Sequence, residues 1–111
     1  MFAELKKPSN AVFISAVCLW EISLKFALGK LSLDQITPDA LRLSAVDMGF
    51  ALMPLLPEEA SGFDNLPRSG HKDSFDRMLV WQAIHNKHQF VSCDAALDVY
   101  KVQGLKRFWP E

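Results

Sequence analysis

The chain has little cysteine, no long apolar run and no surplus charge of either sign. Its 111 residues include only two cysteines, Cys18 and Cys93, far apart and in no CxxC pair. A small secreted scaffold stapled by disulfides carries more, so a reducing, cytoplasmic setting is expected. The densest apolar stretch, Ala11–Trp20 with Ser15 inside it, is too short to span a bilayer. Met1–Asn10 has charges and no apolar h-region, unlike a signal peptide. Lys plus Arg is 12 and Asp plus Glu is 13, a formal net charge of −1. Without a global field to hold a polyanion or a membrane, a nucleic-acid partner would have to be drawn by local patches or bound cations. The chain also lacks a Gly-rich phosphate loop and a nucleophile elbow with triad partners, which leaves phosphate cradling and nucleophilic hydrolysis without support.

What is present is enough for one ordinary domain over residues 1–111. Half of the residues are apolar and 23% are charged, a balance that favours a packed core over disorder. Val12–Ile14, β-branched and aromatic, predicts a strand. Ser15 can cap a helix over Ala16–Leu28, which Gly29 stops. Thr37-Pro38 opens a helix to Met48, and Gly49 closes it. Phe50–Leu55 predicts a second strand, and Pro57 opens a helix to Asn65. After a basic loop, Pro67–Lys72, Asp73 caps a long helix over Ser74–Lys87. Phe90–Ser92 predicts a third strand, Asp94–Lys101 a last helix, and Lys106–Trp109 a final strand. Strands alternating with helices predict an α/β fold with a mostly parallel sheet, whose functional groups gather at the carboxyl ends of the strands.

Three acids fall where surface acids normally do not. On the long helix, Leu79, Val80, Ala83 and Ile84 mark the apolar arc at about 100° per residue. Asp76 lies inside that arc, while Arg77, Trp81 and His85 lie outside it. A carboxylate facing a core costs desolvation unless it is paired or metal-bound. Asp73-x-x-Asp76 also resembles a capping box, which accounts for Asp73 but not for the facing of Asp76. In the first helix, apolar residues on both sides predict a largely buried helix and leave Glu21 as one of few charges. An i,i+4 pair with Lys25 is the alternative for Glu21. Asp94 stands just past the third strand, either at a strand-end site or as a helix cap. Asp98, one turn on, either joins it or is solvated. His71, in the loop before Asp73, is close enough in sequence to join the acids. Converging carboxylates with no Cys/His ligand spacing suit Mg²⁺ or Mn²⁺ rather than Zn²⁺. Lys72, Arg77, Lys101, Lys106 and Arg107 either meet RNA phosphates or form solvated surface.

These residues resemble a known family. Ser15 to Lys25, with Trp20-Glu21-Ile22 at its centre and Leu28-Gly29-Lys30-Leu31 after it, is similar to the "S-x-x-x-x-W-E-I-x-x-K…L-G-K-L" block of VapC-type toxins. His71-Lys72-Asp73-Ser74-Phe75-Asp76-Arg77, followed by Gln82-Ala83, is similar to their "H-x-D-P-F-D-R…Q-A" block, with Ser74 in place of proline. Val91-Ser92-Cys93-Asp94 is similar to their strand-end aspartate motif, and Tyr100 matches a common downstream tyrosine. The resemblance implies a PIN domain, a three-layer α/β/α fold with a mostly parallel sheet in the order 3-2-1-4-5. It implies a Mg²⁺- or Mn²⁺-dependent endoribonuclease, held inactive by a cognate antitoxin and commonly dimeric. Glu21, Asp76 and Asp94 would be the acidic, metal-binding positions, with Asp73 and Arg77 beside them. The family's opening strand, which runs into "D-T-[HN]" and lies at the sheet centre, has no counterpart here, since the first aspartate is Asp34. A shortened domain lacking its central strand is therefore expected.

Overall fold

The computed structural model describes residues 11–68 and 73–109. They form short parallel strands in two small sheets, interleaved with helices. The chain divides at Leu55–Leu56 into two compact units.

In the first unit, β1 (Phe13–Ser15) leads directly into α1 (Ala16–Ala27). Ser15 ends the strand and caps the helix: its hydroxyl oxygen accepts from Val17 N–H at 3.0 Å. Gly29, at φ +73°, supplies the left-handed residue that lets the chain leave α1. Thr37 caps α2 (Pro38–Asp47), its hydroxyl accepting from Ala40 N–H at 3.1 Å, with Pro38 where a missing N–H costs nothing. The chain returns through β2 (Ala51–Met53), which pairs parallel with β1 in the register Phe13–Ala51, Ile14–Leu52 and Ser15–Met53. Among its described residues, only Ser15, Val17 and Ala45 are buried. The largely buried helix expected here is found only in part: Val17 is the only buried residue of α1, Leu19, Ile22 and Phe26 are half-buried, and Trp20, Leu24 and, just past the helix, Leu28 are exposed. The helix packs on β1 and α2.

In the second unit, Pro57 opens α3 (Pro57–Gly62), which tightens into a 3₁₀ turn at Phe63–Asn65. Asp73 opens α4 (Ser74–Asn86), and Lys87 closes it in the left-handed region. β3 (Gln89–Val91) crosses through a 3₁₀ helix, Ala95–Gln103, to β4 (Lys106–Phe108). The expected last helix is present and is 3₁₀. β3 and β4 pair parallel, Gln89 opposite Lys106 and Val91 opposite Phe108. The core holds Leu66, Val80, Ala83, Leu97, Tyr100 and Leu105, with Phe63, Trp81, Ile84 and Phe90 packed against it. Each fully buried leucine there contributes about 1.5–3 kcal/mol through apolar area removed from water. Among the described residues, no helix is long and apolar enough to cross a membrane.

Candidate functional site

The start of α4 is built by Asp73. Its Oδ1 accepts from Phe75 N–H at 2.9 Å and from Asp76 N–H at 3.1 Å, so the side chain satisfies two of the helix's orphan donors. Asp76, in the same first turn, is half-buried. The next residue departs from the helical-wheel expectation. Arg77 lies inside the unit, 7% exposed, with Nη2 donating to the Leu66 carbonyl at 3.1 Å. Its guanidinium carbon sits 4.8 Å from the centre of the Phe63 ring. The buried residues of α4 are Arg77, Val80, Gln82 and Ala83, so the expected apolar arc keeps Val80 and Ala83 at its centre and is widened on its flanks by two polar residues. Specific polar partners inside the unit account for the burial of those two. His71 and Lys72 lie outside the described residues.

The turn after β3 carries Asp94. Ser92 Oγ accepts from Asp94 N–H at 3.1 Å, and Asp94 Oδ1 accepts from Ala96 N–H at 3.0 Å. Asp94 thus caps the 3₁₀ helix and is half-buried. Asp98 is held by Arg107, which donates from Nε to Oδ1 at 2.8 Å and from Nη2 to Oδ2 at 3.2 Å. Lys101 Nζ stands 3.6 Å from the same carboxylate. The Arg107 hydrogen bonds, aided by the Arg107 and Lys101 charges against a partial loss of hydration, hold the Asp98 carboxyl below its ordinary range. The pairing with Asp98 likewise raises the Arg107 guanidinium above its ordinary value. Arg107 Nη1 also donates to the Ser92 carbonyl at 3.0 Å, so this arginine faces the protein and not the solvent.

Glu21 belongs to the first unit. Its Oε2 accepts from Lys25 Nζ at 2.6 Å, the i,i+4 pair that its spacing allows. Such a pair is worth a few tenths of a kcal/mol, about 0.2–0.5.

The donor chemistry of Glu21, Asp76 and Asp94, oxygen only, suits a hard divalent ion. Among the described residues, no group of three or more His, Cys, Asp and Glu side chains stands close enough to hold a metal ion. Cys18 and Cys93 are free thiols.

One polar centre escaped the sequence reading. Glu59 of α3 is 1% exposed, yet its Oε1 accepts from Leu56 N–H at 2.9 Å and from Gln82 Nε2 at 3.0 Å. Its Oε2 accepts from Asn86 Nδ2 at 2.7 Å, and its carbonyl accepts from Trp81 Nε1 at 2.9 Å. A signal existed: Glu59 is the third residue of a helix opened by proline, the place from which a glutamate reaches back to the cap N–H. Gln82 and Asn86, four apart on α4, share the face that meets it. No family model, no curated protein and no solved structure matches this chain.

Proposed function

We propose that the chain is a VapC-type PIN-domain protein, a Mg²⁺- or Mn²⁺-dependent endoribonuclease toxin of the cytoplasm with a cognate antitoxin as partner. The observation that carries this reading is the strand pairing. A sheet ordered 3-2-1-4-5, with its central strand unmatched, leaves two parallel pairs. Parallel pairs are what β1–β2 and β3–β4 form, each joined through helix. The motif blocks support the same reading, because they fall on those elements: Trp20-Glu21-Ile22 on α1, Phe75-Asp76-Arg77 on α4, and Asp94 past β3. In this proposal Glu21, Asp76 and Asp94 are the metal-binding acids, His71, Asp73 and Asp98 their neighbours, and Lys72 a contact to RNA phosphate. A three-layer α/β/α architecture and a homodimer or higher oligomer belong to the same proposal.

A second reading has its own observation. Asp73 and Asp94 cap helices, Asp98 is taken by Arg107, and Glu21 pairs with Lys25. Acids so engaged suit a catalytically impaired relative that acts only by binding antitoxin or another copy of itself. Cleavage of an RNA panel, with and without Mg²⁺ and with Asp76→Asn as control, separates the two. The first reading expects metal-dependent cleavage that Asp76→Asn abolishes. Absence of cleavage together with retained antitoxin binding would establish the second.

A further inference from the structure

We infer that Arg107 is a positioning residue for Asp94, acting through the turn that joins β3 to the 3₁₀ helix, and that Asp98 serves as its counter-ion. For Asp94 the inference rests on the ribonuclease reading above; for the turn it rests on geometry alone.

Arg107 lies on β4 and grips two other pieces of the second unit. Its Nε and Nη2 form the two-pronged contact with Asp98, one helical turn beyond Asp94. Its Nη1 holds the Ser92 carbonyl, two residues before Asp94. The planar fork of a guanidinium fixes both directions at once, which a lysine ammonium does not. Backbone contacts complete the frame. Ser92 N–H donates to the Phe108 carbonyl at 3.1 Å, and Leu97 N–H donates to the Asp94 carbonyl at 3.1 Å. Asp94 therefore sits in a turn held on both flanks by one side chain. Both oxygens of Asp98 face Arg107, so its carboxylate has a counter-ion task at this corner.

Basic residues in a C-terminal strand are ordinarily read as phosphate contacts, and the two roles have different signatures. A phosphate contact sets KM and the salt dependence of RNA binding. A positioning residue sets kcat at constant KM, because a misplaced group costs rate without weakening binding.

The test uses Arg107→Met, Arg107→Lys, Asp98→Asn and the Asp98→Asn/Arg107→Met double variant, compared well below their melting temperatures. Amide hydrogen exchange at Cys93, Asp94 and Ala96 is expected to quicken by about tenfold in Arg107→Met, with exchange in α1 unchanged. Arg107→Lys is expected to restore part of the protection. RNA cleavage is expected to lose about tenfold or more in kcat, with KM within about twofold of the parent. The double variant should match Arg107→Met, since the two residues act as one unit. Unchanged exchange in the turn overturns the inference, and so does a change confined to KM and the salt slope. If the parent chain cleaves no RNA while the turn still loosens in Arg107→Met, the enzyme reading falls and the positioning of the turn stands.

Discussion

The carboxylate of Glu59 and the side-chain amide of Gln82 meet 3.0 Å apart inside the second unit, one carried by α3 and the other by α4. Both residues are 1% exposed. A buried charge is tolerated only when hydrogen bonds replace its hydration. Here Leu56 N–H and Asn86 Nδ2 supply the rest. Glu59→Gln keeps the shape but turns an amide donor toward donors. The expected cost is about 1–3 kcal/mol, the range for losing hydrogen bonds to a buried charged group. Urea unfolding followed by fluorescence in a Trp20→Phe/Trp109→Phe background, where Trp81 alone reports, measures it, because the indole N–H donates to the Glu59 carbonyl. A change below a few tenths of a kcal/mol would remove Glu59 from the framework.

The same carboxylate makes the second unit sensitive to acid. Burial pushes the Glu59 carboxyl up. The hydrogen bonds from Leu56 N–H, Gln82 and Asn86, with the His85 charge nearby, outweigh burial and leave it below its ordinary value of 4.5. The unfolded chain then takes up the proton more readily than the folded one. The stabilisation is complete above about the ordinary value and is lost as pH falls through the lower, folded value. Unfolding free energy against pH is expected to fall more steeply for the parent than for Glu59→Gln in that acid window. Parallel curves would overturn it.

How far the sequence could be read follows from where polar groups found partners. Caps and stops were legible because they act locally. Ser15, Thr37 and Asp73 each cap the helix expected of them, and Gly29 and Gly49 take the left-handed conformation after α1 and α2. The parallel strand pairs agree with the alternation of strand and helix. Facing was less legible. Arg77 is buried by a carbonyl 11 residues earlier and by Phe63, and Gln82 by a glutamate 23 residues earlier. Hydropathy counts both as surface residues, and nothing periodic in α4 marks either partner. At the candidate site, the local alternatives set against Asp73, Asp94 and Glu21, two caps and an i,i+4 pair, are all present as contacts.

Asp73 separates the capping role from any other. Asp73→Ala removes the acceptor for Phe75 and Asp76 N–H and is expected to cost about 1 kcal/mol. Asp73→Ser keeps a capping oxygen without the charge and is expected to recover all but a few tenths of a kcal/mol. Thermal unfolding of the three proteins checks this. A serine variant as unstable as the alanine one would mean that the charge, not the cap, matters at this position.

Lys87 offers a stabilising change. It ends α4 at φ 59° and ψ 37°, a conformation that crowds the Cβ of an L-residue. Glycine carries no such penalty, which is about 1 kcal/mol or somewhat more per residue. Lys87→Gly is expected to raise unfolding free energy by about 0.5 kcal/mol after part of that gain is offset by the looser unfolded chain. Lys87→Ala is the control, since alanine meets the same crowding. Equal stability of the glycine and alanine variants would sink the idea.

Arg77 decides whether a basic residue in the motif faces RNA or the protein. Its guanidinium has the Leu66 carbonyl and the Phe63 ring, while Nε is buried without a hydrogen-bond partner. Desolvating a cation costs several kcal/mol, which one charged hydrogen bond and a cation–π contact only partly offset. Arg77→Met keeps most of the length and gives up the charge, so stability is expected to stay within about 1 kcal/mol of the parent. Arg77→Ala leaves a cavity as well and is expected to cost about 2 kcal/mol or more. If the chain binds RNA as proposed, the salt dependence of that binding is expected to be the same in Arg77→Met as in the parent, because the side chain is 7% exposed. A slope smaller by about one counterion would return Arg77 to the phosphate-contacting residues, since each neutralised phosphate contributes about that much.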